Sequence, residues 1–277
     1  MIPFDFIYYR PDSLSEAFDA CTRLRTEGKE PVYYAGGTEI ITMSRAGSMR
    51  PGAVIDIKNI PECSYLALDS EGLHIGSACT LNQIKESDLF PLLSLACGRI
   101  ADHTNQCRIT LGGNLCGAIM YRETSLPLLL SDATVTLLGS SGLRNAAIGD
   151  VFQGSMHLSP CELVVQLHIP EWALGATHFH VKQTSNEKID YPLVSMAALY
   201  KDSFLRVAFS GVCSFPFRDA SIEAVVNDHS LSPAARAARA AALLPEPPCH
   251  NVEGSSGYRI FVFKNMLQAL LGEVNHG

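Results

Sequence analysis

Two glycine-rich turns, Ala35-Gly36-Gly37-Thr38-Glu39 and Thr110-Leu111-Gly112-Gly113-Asn114, decide how this chain reads. Each follows or interrupts apolar sequence, and neither ends in the Lys-Ser/Thr pair of a nucleotide P-loop. Paired glycines carry no Cβ and tolerate φ > 0, so consecutive backbone N–H groups can converge on an anion at contact distance. A following Thr or Asn adds a side-chain donor. Two such turns in one chain point to an extended ligand with two phosphates, gripped from both sides.

Outward from the turns, strands and helices cluster rather than strictly alternate, the pattern of an α+β protein. Ser13-Leu14-Ser15-Glu16 has the spacing of a capping box, and Ala17, Phe18, Cys21 and Leu24 give one apolar helix face ending near Gly28. Residues 31–35 read as a strand entering the first turn, and 53–57 as another. Residues 66–68 and 73–76 form a hairpin, Thr80 an N-cap, and 90–102 a helical stretch before the second turn. A second hairpin joins 133–138 to 143–148, and 162–169 is a strand closed by Pro170. Glu171-Trp172-Ala173-Leu174-Gly175-Ala176 is the best domain boundary. Beyond it come strand-like runs at 177–184, 192–201 and 204–213, then helices at 218–228, 233–243 and 256–271. The Ala-rich 233–243 stretch, with Arg236 and Arg239, reads as a solvated surface helix.

Composition sets the outer bounds. The 277 residues suggest roughly two domains. An apolar share of 47% against 18% charged supplies ample core and no sign of bulk disorder. The formal charge of −7 argues against nucleic acid or an anionic membrane surface as the main partner. No apolar run approaches the roughly 20 residues that span a bilayer, and the first residues do not read as a signal peptide. The nine cysteines are scattered without a C-x-x-C pair, so they are expected to be reduced, in a cytoplasmic protein. No iron–sulfur cluster or structural zinc is expected on this chain.

An ordered series of motifs resembles the FAD-binding (medium) subunit of the molybdenum hydroxylases, the family of xanthine dehydrogenases and aerobic carbon monoxide dehydrogenases. It runs from Phe4-Asp5-Phe6-Ile7-Tyr8-Tyr9-Arg10-Pro11 through both glycine turns, Val54-Ile55-Asp56-Ile57, His74-Ile75-Gly76-Ser77, Asp132-Ala133, Glu162-Leu163 and Ile169-Pro170. It continues with His180-Val181-Lys182-Gln183 and 190–198, and closes at Gly257-Tyr258-Arg259. The resemblance implies the two-part FAD-binding α+β fold of the vanillyl-alcohol oxidase (PCMH) type over residues 1–172, with subdomains near 1–57 and 58–172. Residues 173–277 would form a small α+β C-terminal domain of the CO dehydrogenase flavoprotein type, a three-stranded antiparallel sheet with helices.

The same resemblance implies the site. The stretch Tyr33, Tyr34, Ala35, Gly36, Gly37, Thr38, Glu39, Ile40 would wrap the FAD pyrophosphate with backbone N–H groups, Thr38 adding its hydroxyl. Thr110, Gly113 and Asn114 would hold the pyrophosphate and ribityl region from the other side. Glu123 falls where the family usually has an Asp that hydrogen-bonds the ribityl or ribose hydroxyls. Val164 would pack near the flavin or adenine, and Lys182 would approach from the C-terminal domain and tune the flavin. No residue of this chain is expected to act as a catalytic acid or base. A large partner would carry the molybdenum cofactor and a small one the iron–sulfur clusters, electrons passing by way of FAD to NAD or another acceptor.

The chain departs from the family pattern in places. Gln106 replaces the Arg of the usual Pro-Gln-Ile-Arg run, with Arg108 two residues on, Glu123 is one methylene longer than Asp, and Cys107 and Cys116 are atypical. The usual arginines are missing from 185–190. Among other candidates, His178 and His180 share a strand face but lack a third ligand. His103 and Cys107 stand four apart where a loop is expected, and no G-x-S-x-G elbow occurs. Two rival readings stay open: an assembly subunit of this fold that has lost FAD, and a stand-alone flavin oxidoreductase.

Overall fold

The computed structural model describes residues 2–185 and 189–274. Among the described residues, twelve strands form three sheets. Strands β1 (Ile7–Tyr9), β2 (Pro31–Tyr34) and β3 (Ala53–Asp56) make a parallel sheet in the order β1-β3-β2. Strands β4 (Leu66–Leu68), β5 (Gly72–Gly76), β6 (Thr134–Gly139), β7 (Gly142–Ala147) and β8 (Leu163–Pro170) make an antiparallel sheet, order β4-β5-β8-β6-β7. Strands β9 (Thr177–Thr184), β10 (Pro192–Lys201) and β11 (Phe204–Ser210) are the three expected at the C-terminal end; a two-residue strand β12 (Phe217–Arg218) extends that antiparallel sheet to four.

The helix Leu14–Thr26 shows how the pattern becomes structure. Ala17, Ala20, Cys21 and Leu24 recur on one face and are buried, packing on β2 and β3. Ser13 caps it by accepting from Glu16 N, but the Glu16 carboxylate accepts from Asp12 N at 2.9 Å rather than from the cap residue itself. The full capping box sits instead at Thr80, whose hydroxyl accepts from Gln83 N while Gln83 Oε1 accepts from Thr80 N.

Strand β10 explains why the last sheet is built into the molecule. Eight of its ten residues are buried, a near-continuous apolar run. Successive side chains point to opposite faces. Ala197 and Leu199 therefore join the core of the five-stranded sheet, whereas Val194, Met196 and Ala198 join a second core under the helix Ser256–Val274. A third core fills the seam between the parallel and five-stranded sheets: Ala17, Cys21, Leu24, Ala53 and Ile55 on one side, Leu138, Leu163 and Val165 on the other.

Three sequence expectations are corrected here. Cys21 and Cys161 are joined as a disulfide across that seam, so not every cysteine is a free thiol. Arg236 is 4% exposed, because its guanidinium donates to Val226 O and Leu231 O; only the outer face of the helix Pro233–Ala242, with Arg239, is solvated. His103–Gln106 is a helical turn rather than a loop, capped by Asp102, and it brings Cys107 Sγ to 3.8 Å from His103 Nε2. No group of three or more potential metal ligands assembles among the described residues, and no described helix is long and apolar enough to cross a membrane.

Candidate functional site

Strand β2 ends at Tyr34 and the chain turns through Gly36 and Gly37 into the helix Thr38–Ala46. Gly37 occupies the left-handed region, φ 70°, at the N-cap, where it contributes no side-chain acceptor. The result is a run of five amides, Gly36 to Ile40, with no hydrogen-bond partner among the described residues; the first amide to be used is Ile41 N, which donates to Gly37 O at 2.8 Å. Every residue of the run is half-buried rather than sealed in core. The Thr38 hydroxyl is unbonded as well. Open helix N-terminal amides of this kind, aided by the helix dipole, suit an anion.

The two glycine turns meet. Gly36 lies against the backbone just before the second turn: a Cβ there would stand 1.8 Å from Arg108 O and 3.4 Å from Ile109 Cα. Glu39 reaches across from the same helix, its carboxylate accepting from Ala118 N at 2.7 Å and Ile119 N at 3.2 Å. Glu39 is thus a strut between the turns. Lys58, which sequence reading overlooked, donates to Ala35 O at 3.0 Å and to Asp56 Oδ2 at 2.7 Å, with its ammonium 4.6 Å from the Tyr34 ring centroid. Burial raises the Asp56 carboxyl, but hydrogen bonds from Lys58 and Tyr8 outweigh it and hold it below the usual range.

The second turn is arranged differently. Thr110 caps the short helix Leu111–Cys116 by accepting from Gly113 N at 3.2 Å. Leu111 N donates to Cys79 O, Gly112 N to Ser77 O and Asn114 N to Thr110 O. Its amides already have partners within the protein, unlike those of the first turn. Asn114 Oδ1 accepts from Thr124 Oγ1 at 2.6 Å, which leaves its Nδ2 as the unbonded donor of this turn. Gly112 has its own steric reason, since a Cβ would come within 2.7 Å of Ser77 Cβ.

Beyond Asn114 the chain reaches Glu123, and here the C-terminal sheet arrives. Lys182 Nζ on β9 donates to Glu123 Oε2 and to Arg99 O, both at 2.9 Å, and the side chains of the Glu123–Lys182 pair are each 5% exposed. Lys182 is therefore a buried counter-ion, not a solvated charge. Burial pushes the Glu123 carboxyl up, and the Lys182 ammonium recovers only part of that shift. Glu123 Oε1 is buried and makes no hydrogen bond of good geometry, with the buried Ser195 hydroxyl beside the carboxyl. His180, on the same face of β9 as Lys182, holds Arg99 through Nδ1 at 3.0 Å; burial, with Arg99 and Lys182 adding repulsion, lowers its pKa to about 3.

Two other predicted residues sit deeper. Val164 is 3% exposed on the central strand β8, opposite Leu137 in the main core. The Tyr33 hydroxyl donates to Cys161 O at 2.9 Å and burial raises its pKa, which leaves its backbone to border the first turn. Gln106, in the place of the family's Arg, is buried and donates to Gly98 O, Ile100 O and Ala101 O, tying down the loop that carries Arg99. Residues 186–188, within the stretch lacking the usual arginines, lie outside the described residues. Nothing in the sequence signalled Lys58 or Arg99, because each acts through a contact made only by the fold.

The family described as "FAD binding domain in molybdopterin dehydrogenase" matches residues 3–172. The chain is 26% identical to the xanthine dehydrogenase FAD-binding subunit of Escherichia coli, over 98% of this chain and 96% of that one. It is 27% identical to the 6-hydroxypseudooxynicotine dehydrogenase complex subunit alpha of Paenarthrobacter nicotinovorans, over 100% and 96%. Among solved structures, a chain of carbon monoxide dehydrogenase from Hydrogenophaga pseudoflava superposes with a TM-score of 0.87 at 24% identity, over 97% and 96% of the two chains, a likeness of fold. Sheets, glycine turns and sequence agree: the chain belongs to the family of FAD-binding domains of the molybdopterin dehydrogenases and is a flavin-type oxidoreductase subunit.

Proposed function

We propose that this protein is the electron-transfer subunit of a cytoplasmic molybdenum hydroxylase. A small partner would carry iron–sulfur clusters, a large partner the molybdenum cofactor where substrate is oxidised, and NAD or another acceptor would take the electrons last. The observation that carries the reading is the run of five unbonded amides, Gly36 to Ile40, pressed against the backbone of the second glycine turn. A diphosphate fits such a run, since an acidic protein must hold it by dipoles and a few placed donors. The names of the relatives, an FAD-binding subunit and a dehydrogenase complex subunit, support the multi-subunit reading.

Within it, residues 1–172 hold FAD and 173–277 form a second domain that closes the site through β9. The Gly36–Ile40 amides and the Thr38 hydroxyl bind the pyrophosphate, and Asn114 Nδ2 adds a donor from the second turn. Glu123 presents its second carboxylate oxygen, Oε1, to ribityl or ribose hydroxyls, and Lys182 holds the other still. Val164, Thr110, Gly113 and Glu39 fix the walls and the spacing of the turns. When bound, FAD supplies the redox chemistry, exchanging electrons singly or in pairs.

Purification of the chain with added FAD tests the cofactor reading: flavin absorption that is lost on denaturation, with free FAD released, is the expected result. A colourless chain that cannot be reconstituted would refute it and favour a subunit that serves assembly alone. Purification from its native host tests the partners. A large molybdenum chain and a small iron–sulfur chain should travel with it; substrate turnover by the isolated chain would favour a stand-alone oxidoreductase.

A further inference from the structure

We propose that Cys21 and Cys161 form a reversible thiol–disulfide clasp that holds the two sheets of the FAD-binding region together. Through that clasp they govern how firmly the Gly36–Ile40 run retains its ligand. The effect on retention rests on the FAD reading above; the clasp itself does not.

The pair joins residues 140 apart in sequence, with Cα atoms 5.7 Å apart, inside the range a disulfide requires. Its position gives it leverage. Cys21 comes from the helix Leu14–Thr26 that covers the parallel sheet, and Cys161 stands in the turn that feeds β8 of the five-stranded sheet. Both lie in the seam core where Ala53 and Ile55 meet Leu163 and Val165. Cys161 also holds φ 60°, a left-handed conformation that costs free energy unless its surroundings impose it. Two restraints impose it: the bond to Cys21, and the Tyr33 hydroxyl donating to Cys161 O. Tyr33 lies on β2, two residues before Ala35. The strand that delivers the first glycine turn is thus fastened at the clasp.

Chemistry makes the bond a switch rather than a fixed staple. The other seven cysteines are unpaired. In a reducing compartment, disulfides are mostly transient and redox-sensing. Cys161 is half-buried and Cys21 is 2% exposed, so reagents meet Cys161 first. A hydroperoxide is the oxidant class that suffices. The Cys161 thiolate attacks the peroxide oxygen, the S–O bond forms as O–O breaks, and the leaving oxygen departs as water or alcohol after taking the thiol proton. Cys21 sulfur then displaces the hydroxyl from the Cys161 sulfenic acid, which leaves as water with the Cys21 proton. Two thiols lose two electrons, the peroxide gains them, and a dithiol reverses the step by exchange at the half-buried Cys161 sulfur.

The test uses the full chain, with FAD, treated with dilute hydrogen peroxide or with dithiothreitol and then alkylated. Peptide mapping should find Cys21 linked to Cys161 only after peroxide. Flavin fluorescence after dilution should show FAD leaving severalfold faster from the reduced protein, and Cys161→Ser should release it fast under both treatments. Hydrogen exchange of β2 and β3 in FAD-free protein should speed up on reduction, a readout that needs no cofactor. Absence of the 21–161 link after peroxide overturns the proposal, and so does a link that alters neither FAD release nor exchange. A chain that never binds FAD, yet loses β2–β3 protection on reduction, would sink the FAD reading and uphold the clasp.

Discussion

Gly36→Ala is the sharpest probe of the site, because the obstacle it meets is backbone. A Cβ at position 36 would lie 1.8 Å from Arg108 O and 2.8 Å from Arg108 C, whereas ordinary contact begins at 3.4 Å. The two turns must therefore separate by more than an ångström. No side chain can rotate away to relieve it, and Arg108 is itself held, its N–H donating to Asn105 O at 2.9 Å. Overpacking costs about 1–3 kcal/mol, and a backbone obstacle puts this variant at the upper end. If bound FAD needs the turns closed, a penalty near 3 kcal/mol weakens FAD affinity about a hundredfold.

Titration of the FAD-free protein with FAD, followed by flavin fluorescence, reads that affinity directly. Gly149→Ala is the matched control: Gly149 lies in the helix Ile148–Val151, and an added Cβ there meets nothing within 4 Å. Its FAD affinity should equal that of the parent, with stability unchanged or raised by up to about 1 kcal/mol. Should Gly36→Ala bind FAD within about threefold of the parent, the contact between the turns has no part in binding, and the reasoning fails.

Three further outcomes follow from the buried charges. Lys182→Met strands Glu123 in a site where both side chains are 5% exposed, and should cost about 3–5 kcal/mol in urea unfolding. Because burial raises the Glu123 pKa, the carboxyl takes up a proton readily, so the loss should be smaller near about pH 5 than near about pH 8; a pH-independent loss would contradict the pairing. His180, with its pKa lowered to about 3, is neutral in the folded protein and charged in the unfolded chain below about 6.5. Its contribution to stability is complete above that value. It is lost at up to about 1.4 kcal/mol per pH unit as pH falls from about 6.5 towards 3, and His180→Gln should flatten that limb of the urea-midpoint profile. Arg236→Ala should cost about 2–3 kcal/mol by leaving Val226 O and Leu231 O unpaired, while Arg239→Ala on the outer face should stay within about 0.5 kcal/mol; equal effects in thermal unfolding would restore the surface-helix reading.

What the sequence disclosed follows a physical division. Local features were readable: the strands at 31–34 and 192–201, the hairpins, the Thr80 cap and the helix after Ser13 each carry their signal within a dozen residues. Features made by distant contact were not. Arg236 looked solvated because an Ala-rich helix shows no apolar stripe, yet its guanidinium reaches carbonyls at 226 and 231. Cys21 and Cys161 are 140 residues apart, and no spacing rule could pair them. At the site, glycine pairs announced the cradle, but not that the amides of the second turn are consumed by Ser77, Cys79 and Thr110. Pattern reveals where a backbone can bend; only the assembled fold reveals which donors remain unspent.

That distinction bears on how an acidic protein holds a diphosphate. Three cations beside the site already have partners: Lys58 serves Asp56 and Ala35 O, Lys182 serves Glu123 and Arg99 O, and Arg122 donates to Gly117 O and Gly154 O. Drawing one of them onto a phosphate would strand a buried carboxylate or carbonyl, at a cost of about 1–3 kcal/mol or more. The Gly36–Ile40 amides carry no such debt, since nothing among the described residues competes for them. Attraction by fixed, short-range dipoles is weakly screened by salt, unlike attraction by exposed lysines. The arrangement therefore favours a ligand whose phosphates reach the turn itself, and it gives a mobile anion in solution little to hold at a distance. An extended dinucleotide anchored at Gly36–Ile40, as proposed, would meet two more unspent groups farther along the site, Asn114 Nδ2 and Glu123 Oε1.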